Sequence, residues 1–185
     1  KEPQETPVVI TDRGEKIEAS GALYLPQQES FIVVSDESPL LYIVDKKGNL
    51  VAKKEIKGIG KIDDIESITR IDANTIAVAS SLSLTKKGKI KKERSQIAII
   101  REENNNFSLE KSADLSTMLK NWALSPEAEK KSALFIKNGL DQKTIDIEGM
   151  SFSGSSLYLS FKNPLLNGKA IVIRVENIRK AIKMA

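Results

Sequence analysis

Short apolar runs alternate with turn-forming residues along most of the chain, and one phrase introduces such a run twice. The tripeptides Asp64-Ile65-Glu66 and Asp146-Ile147-Glu148 each open an apolar strand, and a second apolar strand follows each of them. A weaker copy begins at Ala19, with Ser20 in the place of the glutamate. Short strands bounded by turn residues and repeated along a chain predict consecutive antiparallel sheets.

The pattern predicts four strands in each of the first two copies and three in the last. Four short antiparallel strands in sequence form one blade of a β-propeller. The fold class we expect is therefore all-β, a β-propeller of three to four blades, with a helical turn over residues 176–182. The predicted strands cover residues 22–25, 31–34, 40–44, 50–56, 65–71, 75–80, 96–101, 107–111, 148–152, 157–161 and 170–175.

A helical insertion is predicted between the second and third copies, over residues 114–139. Asp114 is a suitable cap for a helix over 115–124, because Leu115, Met118 and Trp122 fall on one face. Ser125-Pro126 predicts a second helix start, and Gly139 predicts its end. We thus divide the chain into an N-terminal strap, residues 1–18, and a partial propeller, residues 19–185. A closed ring needs about four to eight blades, so we expect the remaining blades, a second copy or another subunit to complete it.

Composition narrows the chemistry. The chain has no histidine and no cysteine among its 185 residues, which excludes a Ser-His-Asp triad, disulfides and histidine- or thiolate-ligated metals. The net charge is +4, and the segment 86–92 is rich in lysine. Few aromatic residues flank this segment to stack on bases, so nucleic-acid binding is disfavoured. No apolar run approaches the roughly 20 residues of a membrane span. The chain begins at Lys1 rather than methionine, which favours a processed, periplasmic or extracellular protein.

Glu66 and Glu148 are the main candidates for a site, because the innermost strand of a propeller blade lines the central channel. Converging carboxylates require compensation. The sequence leaves three solutions open: Ca²⁺ or Mg²⁺ held by Asp64, Glu66 and Glu148; a counter-ion such as Lys162; or an acid/base pair with a metal-activated water. A purely structural role, with backbone amides bonded to each glutamate, is the alternative. Five further residues are expected near the same end of the channel: Ser80, Ser81, Ser160, Lys162 and Asn163. They could bind a phosphate, a sugar or a carboxylate, or they are ordinary polar loop residues.

Several segments occur in a linked order: 64–66, 79–83 with the basic tract that follows, 114–115, 147–150 and 159–170. In these segments, and over residues 19–177 as a whole, the chain resembles a bacterial family of uncharacterised propellers, domain-of-unknown-function family 3616. The sequence differs from that family at Lys162 and Asn163, where the family tends to have arginine and glycine.

The family implies no established activity. The phrase at 147–149 is more distantly similar to that of phytase-like and lactonase-like propellers, which implies channel acids that hold a metal. Two functions follow as hypotheses: a non-enzymatic binding or assembly propeller, or a metal-dependent hydrolase of phosphate esters or lactones acting through Glu66 and Glu148.

Overall fold

The computed structural model describes residues 10–185, and about half of this part of the chain lies in strands, nearly all of them antiparallel. A small hairpin of β1 (Thr11–Asp12) and β2 (Glu15–Lys16) comes first. Of the predicted strap, residues 1–18, the first nine residues lie outside the described part of the chain. The first large sheet has the order β3-β4-β5-β6. Its strands are β3 (Gly21–Leu25), β4 (Ser30–Ser35), β5 (Ser38–Asp45) and β6 (Leu50–Lys54).

The second and third sheets repeat this up-and-down order. The second has the order β7-β11-β10-β9-β8, and the third has the order β12-β13-β14. Three helices accompany them. The elements are β7 (Ile56–Lys57), β8 (Ile65–Asp72), β9 (Thr75–Ser80), β10 (Gln96–Glu103), β11 (Asn106–Asp114), α1 (Leu115–Ala123), α2 (Lys130–Gln142), β12 (Asp146–Ser153), β13 (Ser156–Leu166), β14 (Lys169–Glu176) and α3 (Ile178–Lys183). The all-β, propeller-like prediction is confirmed.

The second sheet is buried on both faces, which explains why its middle strands are almost continuously apolar. Val78 and Ile100 pack against the first sheet, whereas Ala79, Ile97 and Ile99 pack against the third sheet and the helices. Successive side chains of a strand point to opposite faces, so β9 and β10 each contribute to both cores. The innermost strands β3 and β12 both lie beside β8, the innermost strand of the second sheet.

The fourth strand of the first copy ends earlier than predicted. The sequence predicts one strand over 50–56, but β6 stops at Lys54, and Ile56 begins the separate strand β7. Ile56 is 5% exposed and pairs with Phe107 in parallel with β11. Burial of Ile56 beside Phe107 therefore moves this residue from the first sheet to the second.

The second helix begins and ends later than predicted. The Ser125 hydroxyl donates to the carbonyl of Trp122 at 2.7 Å, so it is bonded to the end of α1. Glu129 caps α2 instead, accepting from the backbone N of Ser132 at 2.9 Å. Gly139 lies inside α2, and a larger residue does not fit there because a Cβ would come within 2.8 Å of Cγ1 of Ile145.

Among the described residues, none of the helices has the length and apolar character needed to cross a membrane.

Candidate functional site

The starts of the three innermost strands are tied together by hydrogen bonds between sheets. The Ser20 hydroxyl, just before β3, donates to the carbonyl of Ile65 at the start of β8. The backbone N of Ile147 in β12 donates to the carbonyl of Ser81 at 2.8 Å. Ser20 and the two glutamates thus share one end of the molecule, which we call the channel mouth. The glutamates belong to neighbouring strands of this mouth, not to strands that face each other across it.

Three carboxylates converge at the channel mouth. One carboxylate oxygen each from Asp36, Asp64 and Glu66 lies within 4.8 Å of the others. Asp36 stands in the turn after β4, Asp64 directly precedes β8 and Glu66 is the second residue of β8. Asp64 is 7% exposed and adopts the left-handed backbone conformation, with φ of 59°. This conformation is uncommon outside glycine, although aspartate tolerates it better than most residues.

Glu66 is the member of the cluster whose pKa is strongly raised. Partial burial and, after it, the negative charges of Glu148, Asp64, Asp36 and Asp146 together raise the pKa of Glu66 from 4.5 to about 7. Within residues 10–185, no side chain or backbone amide donates a hydrogen bond to this carboxylate. Glu66 therefore forms no direct ion pair or hydrogen bond in this part of the chain, although it lies close enough to Lys162 for the two charges to interact.

Glu148 differs from Glu66, although it holds the equivalent position in the repeat. Its carboxylate is exposed, and Oε1 lies 2.7 Å from Nζ of Lys162. The same ammonium group is 3.7 Å from Oδ2 of Asp146. The hydrogen bond to Glu148 and the charges of both acids raise the pKa of Lys162. Burial raises the pKa of Asp146, and the Lys162 charge opposes that rise. Lys162 is thus the counter-ion shared by Asp146 and Glu148, the two acids of β12.

Asp64 has partners on both carboxylate oxygens. Arg94 Nη1 is 3.3 Å from Oδ1. The Ser81 hydroxyl donates to Oδ2, and the Ser83 hydroxyl lies 3.1 Å from the same atom. These contacts hold the carboxylate in a single orientation beside Glu66. Three carboxylates and one guanidinium leave two negative charges uncompensated, which matches the charge of a divalent cation.

The remaining predicted ligands are less accessible or lie further along the strands. Ser80 is fully buried, and its hydroxyl donates to the carbonyl of Asp63 at 2.8 Å. Ser160 packs over β12, where a Cβ on Gly149 would lie 2.4 Å from its Oγ. Asn163 is exposed and pairs in register with Asp146. Ser81 and Lys162 therefore contact the acids of the mouth directly, whereas Ser80 and Ser160 bond or pack within the sheets.

Asp36, Asp146 and Arg94 belong to the site but were not among the residues predicted from the sequence. Asp146 stands in the repeated phrase at the place of Asp64. Asp36 and Ser81 directly follow the second strand of their copies, and Lys162 follows Phe161, where the regular pairing of β13 is interrupted. A polar residue at one equivalent place in three repeats is a usable indication of a shared site. Arg94 gives no such indication, because the segment that carries it occurs only in the second copy.

Comparison with known proteins gives the family. A model of the family described as SdiA-regulated matches residues 4–116, more than half of the chain. This chain belongs to the SdiA-regulated family. Its propeller-like sheets agree with that assignment, while membership of domain-of-unknown-function family 3616 stays a prediction. No curated protein matches the chain.

Two solved structures are similar at low sequence identity. The Cps50 (Swd1) β-propeller domain of Myceliophteria thermophila is 9% identical, with a TM-score of 0.42 over 91% of this chain. The chain spans 46% of the length of that domain. The computationally designed Ika4 protein is 6% identical, with a TM-score of 0.36, and the match covers 92% of this chain and 99% of Ika4.

Proposed function

We propose that this member of the SdiA-regulated family is a non-enzymatic binding and assembly propeller whose channel mouth holds a hard divalent cation, Ca²⁺ in the first place. The observation that carries the proposal is the convergence of Asp36, Asp64 and Glu66 within 4.8 Å. Ca²⁺ takes six to eight oxygen ligands, many of them carboxylates, with carbonyls and waters in the remaining positions. Mg²⁺ uses the same ligands but demands a stricter octahedral geometry.

The different surroundings of Glu66 and Glu148 support this proposal. Lys162 forms ion pairs with Glu148 and Asp146, so the acids of the third sheet already have a cationic partner. Glu66 forms no ion pair among the described residues, and burial together with nearby negative charges raises its pKa, which reflects the cost of holding a charge there. A cation beside Asp36 and Glu66 would remove this cost. Glu148 is then an outer acid of the mouth rather than a ligand.

Calorimetric titration of Ca²⁺ into EDTA-treated protein at pH 7.5 tests the proposal. We expect one Ca²⁺ per chain, and at least about tenfold weaker binding in Asp36→Asn and Glu66→Gln, because each removes one charged ligand. Glu37→Gln is the matched control, since Glu37 is exposed and adjoins Asp36 without belonging to the cluster. No heat of binding, or an equal loss in the control, contradicts the proposal. Asp64 is left intact because Arg94 and Ser81 depend on it.

A metal-dependent hydrolase is the second candidate, and one observation favours it. A pKa of about 7 is well suited to a general base, because such a group is partly ionised and still basic at neutral pH. Metal-dependent cleavage of p-nitrophenyl phosphate or a lactone that Glu66→Gln abolishes, but Glu37→Gln does not, would select this candidate. Unchanged cleavage in both variants would eliminate it.

We also infer that the three sheets belong to a ring that further blades, a second copy or another subunit completes. The support is the order of the sheets, whose innermost strands are neighbours around one mouth. Rings of this class contain about four to eight blades. The third sheet has three strands within the described residues, so the outer edge of β14 is one place where a completing strand would pair.

A further inference from the structure

A cavity adjoins the channel mouth beside the lysine-rich segment. It has a volume of about 370 Å³ and is lined by residues from the segment 82–95, from the start of α1, and from the end of α2 and the residues just after it. This volume falls within the roughly 300–1,000 Å³ of small-molecule pockets. The apolar part of its lining is entirely aliphatic and consists of Leu82, Leu84, Ile90, Leu140 and Ile145.

The charged part of the lining is mostly cationic. Lys91 and Arg94 bond to Asp63, at 3.2 and 3.3 Å, and are therefore compensated. Lys92 and Lys143 also line the cavity, are exposed, and have no acceptor within residues 10–185. The single lining acid, Asp114, accepts from the backbone N of Thr117 as the cap of α1. Two exposed lysines without an ion-pair partner in this part of the chain thus line an aliphatic cavity.

The first turn of α1 is not itself an anion site. Its backbone donors are already used: the N of Leu115 bonds to the Ser95 carbonyl at 2.9 Å, and the N of Ser116 bonds to the Ser95 hydroxyl at 3.2 Å. Asp114 takes the next donor, from Thr117. Recognition of a negative group at this cavity therefore depends on the lysines and not on the helix end.

We propose that this cavity binds a medium-chain aliphatic monocarboxylate, with the carboxylate between Lys92 and Lys143 and the chain on the leucine and isoleucine side chains. The lining contains no aromatic residue, so a nucleotide base would find no stacking partner there. Charge complementarity selects an anion, and the aliphatic lining selects a saturated chain. Two lining residues, Ser83 and Arg94, also contact Asp64 of the channel mouth, so the cavity adjoins that site although it uses different charged groups for the ligand.

A neighbouring groove gives room for a longer chain. It has a volume of about 500 Å³ between α1 and α2, and it shares Ser116 and Leu140 with the first cavity. Leu124 and Leu134 in this groove are 76% and 58% exposed, which is unusual for large apolar side chains. A chain that extends from the cavity would cover these two leucines, so affinity should rise with chain length.

Calorimetry with decanoate, below its micelle concentration, tests the site on the full chain. The variant is Lys92→Gln with Lys143→Gln, and the matched control is Lys86→Gln with Lys87→Gln, which removes the same amount of charge from exposed positions outside the lining. We expect saturable binding of one decanoate. Loss of Lys92 and Lys143 should weaken this binding at least about tenfold, and loss of Lys86 and Lys87 should leave it unchanged. Acetate and 1-decanol should each bind far more weakly, since each lacks half of the recognised chemistry.

Four outcomes would overturn the proposal. The first is equal decanoate binding by both double variants, which would mean general attraction to a basic surface. The second is decanol binding as tight as that of decanoate, which would mean an uncharged apolar site. The third is association with phosphatidylglycerol vesicles without saturable decanoate binding, which would assign the basic segment to a membrane surface. Methyl chemical shifts of Leu84 and Ile145 should move with decanoate, and failure to move would place the ligand elsewhere.

Discussion

Replacement of Glu66 by glutamine should stabilise the metal-free protein, and only above acidic pH. Below about pH 4.5 the carboxyl group is protonated in the folded and the unfolded protein alike, so its burial costs little. Between pH 4.5 and 7 the unfolded chain releases this proton while the folded protein keeps it. Stability therefore falls as pH rises through this window and stays at its lower value above pH 7.

The size of this effect follows from the pKa of Glu66. A rise from 4.5 to about 7 corresponds to roughly 3 kcal/mol at about 1.36 kcal/mol per pKa unit. Because the side chain is only partly buried, water and salt screen its charge, and we expect about 1–2 kcal/mol. Glutamine keeps the shape and removes the charge, so it should recover this amount at pH 8 and little of it at pH 4.5.

Urea denaturation at pH 4.5 and 8.0 in EDTA measures the difference, with Glu37→Gln as the control that should change stability by less than about 0.5 kcal/mol. Added Ca²⁺ should reverse the order at pH 8, because the wild type gains binding energy that Glu66→Gln loses. A Glu66→Gln variant that is no more stable than wild type in EDTA at pH 8, or that is equally stabilised at pH 4.5, would refute the reasoning.

Two further predictions concern packing and assembly. Gly139→Ala should destabilise the protein by about 1 kcal/mol, because the clash with Ile145 outweighs the gain in helix propensity. The neighbouring, exposed Asn138→Ala should raise the melting temperature slightly, and a similar rise in Gly139→Ala would contradict the packing argument. Native mass spectrometry should detect a species heavier than the 20.4 kDa monomer, since the ring needs completion. A stable, folded monomer alone would argue against that inference.

The strands were predictable because short apolar runs, alternating or continuous, end at turns that contain the expected residues. The helix α2 was less so. Ser125-Pro126 has the sequence of a helix start, but the Ser125 hydroxyl bonds back to Trp122 and leaves the capping role to Glu129. Gly139 has the sequence of a helix end, but the close approach of Ile145 requires a glycine there. In both cases a tertiary contact overrides a local signal.

The candidate site was predictable in its position and only partly in its membership. The repeat identified Glu66 and Glu148 because each opens an innermost strand. It did not identify Asp36, since the first copy carries Ser20 at the glutamate position and supplies its acid from a turn. Strand pairing also decides which acids Lys162 reaches. Irregular register between Asp146 and Gly149 places two acids of β12 near one ammonium group.

Equivalence in the repeat therefore does not make the two glutamates chemically equivalent. Glu148 is exposed and paired with a lysine from its own sheet, whereas Glu66 is partly buried between two other acids. Removing the charge of Glu148 would leave Lys162 with Asp146 alone and would also remove one of the charges that raise the pKa of Glu66. Removing the charge of Glu66 would leave Lys162 and its partners in place. The first substitution thus changes the pH at which the mouth becomes fully negative, and the second changes whether it can hold a cation.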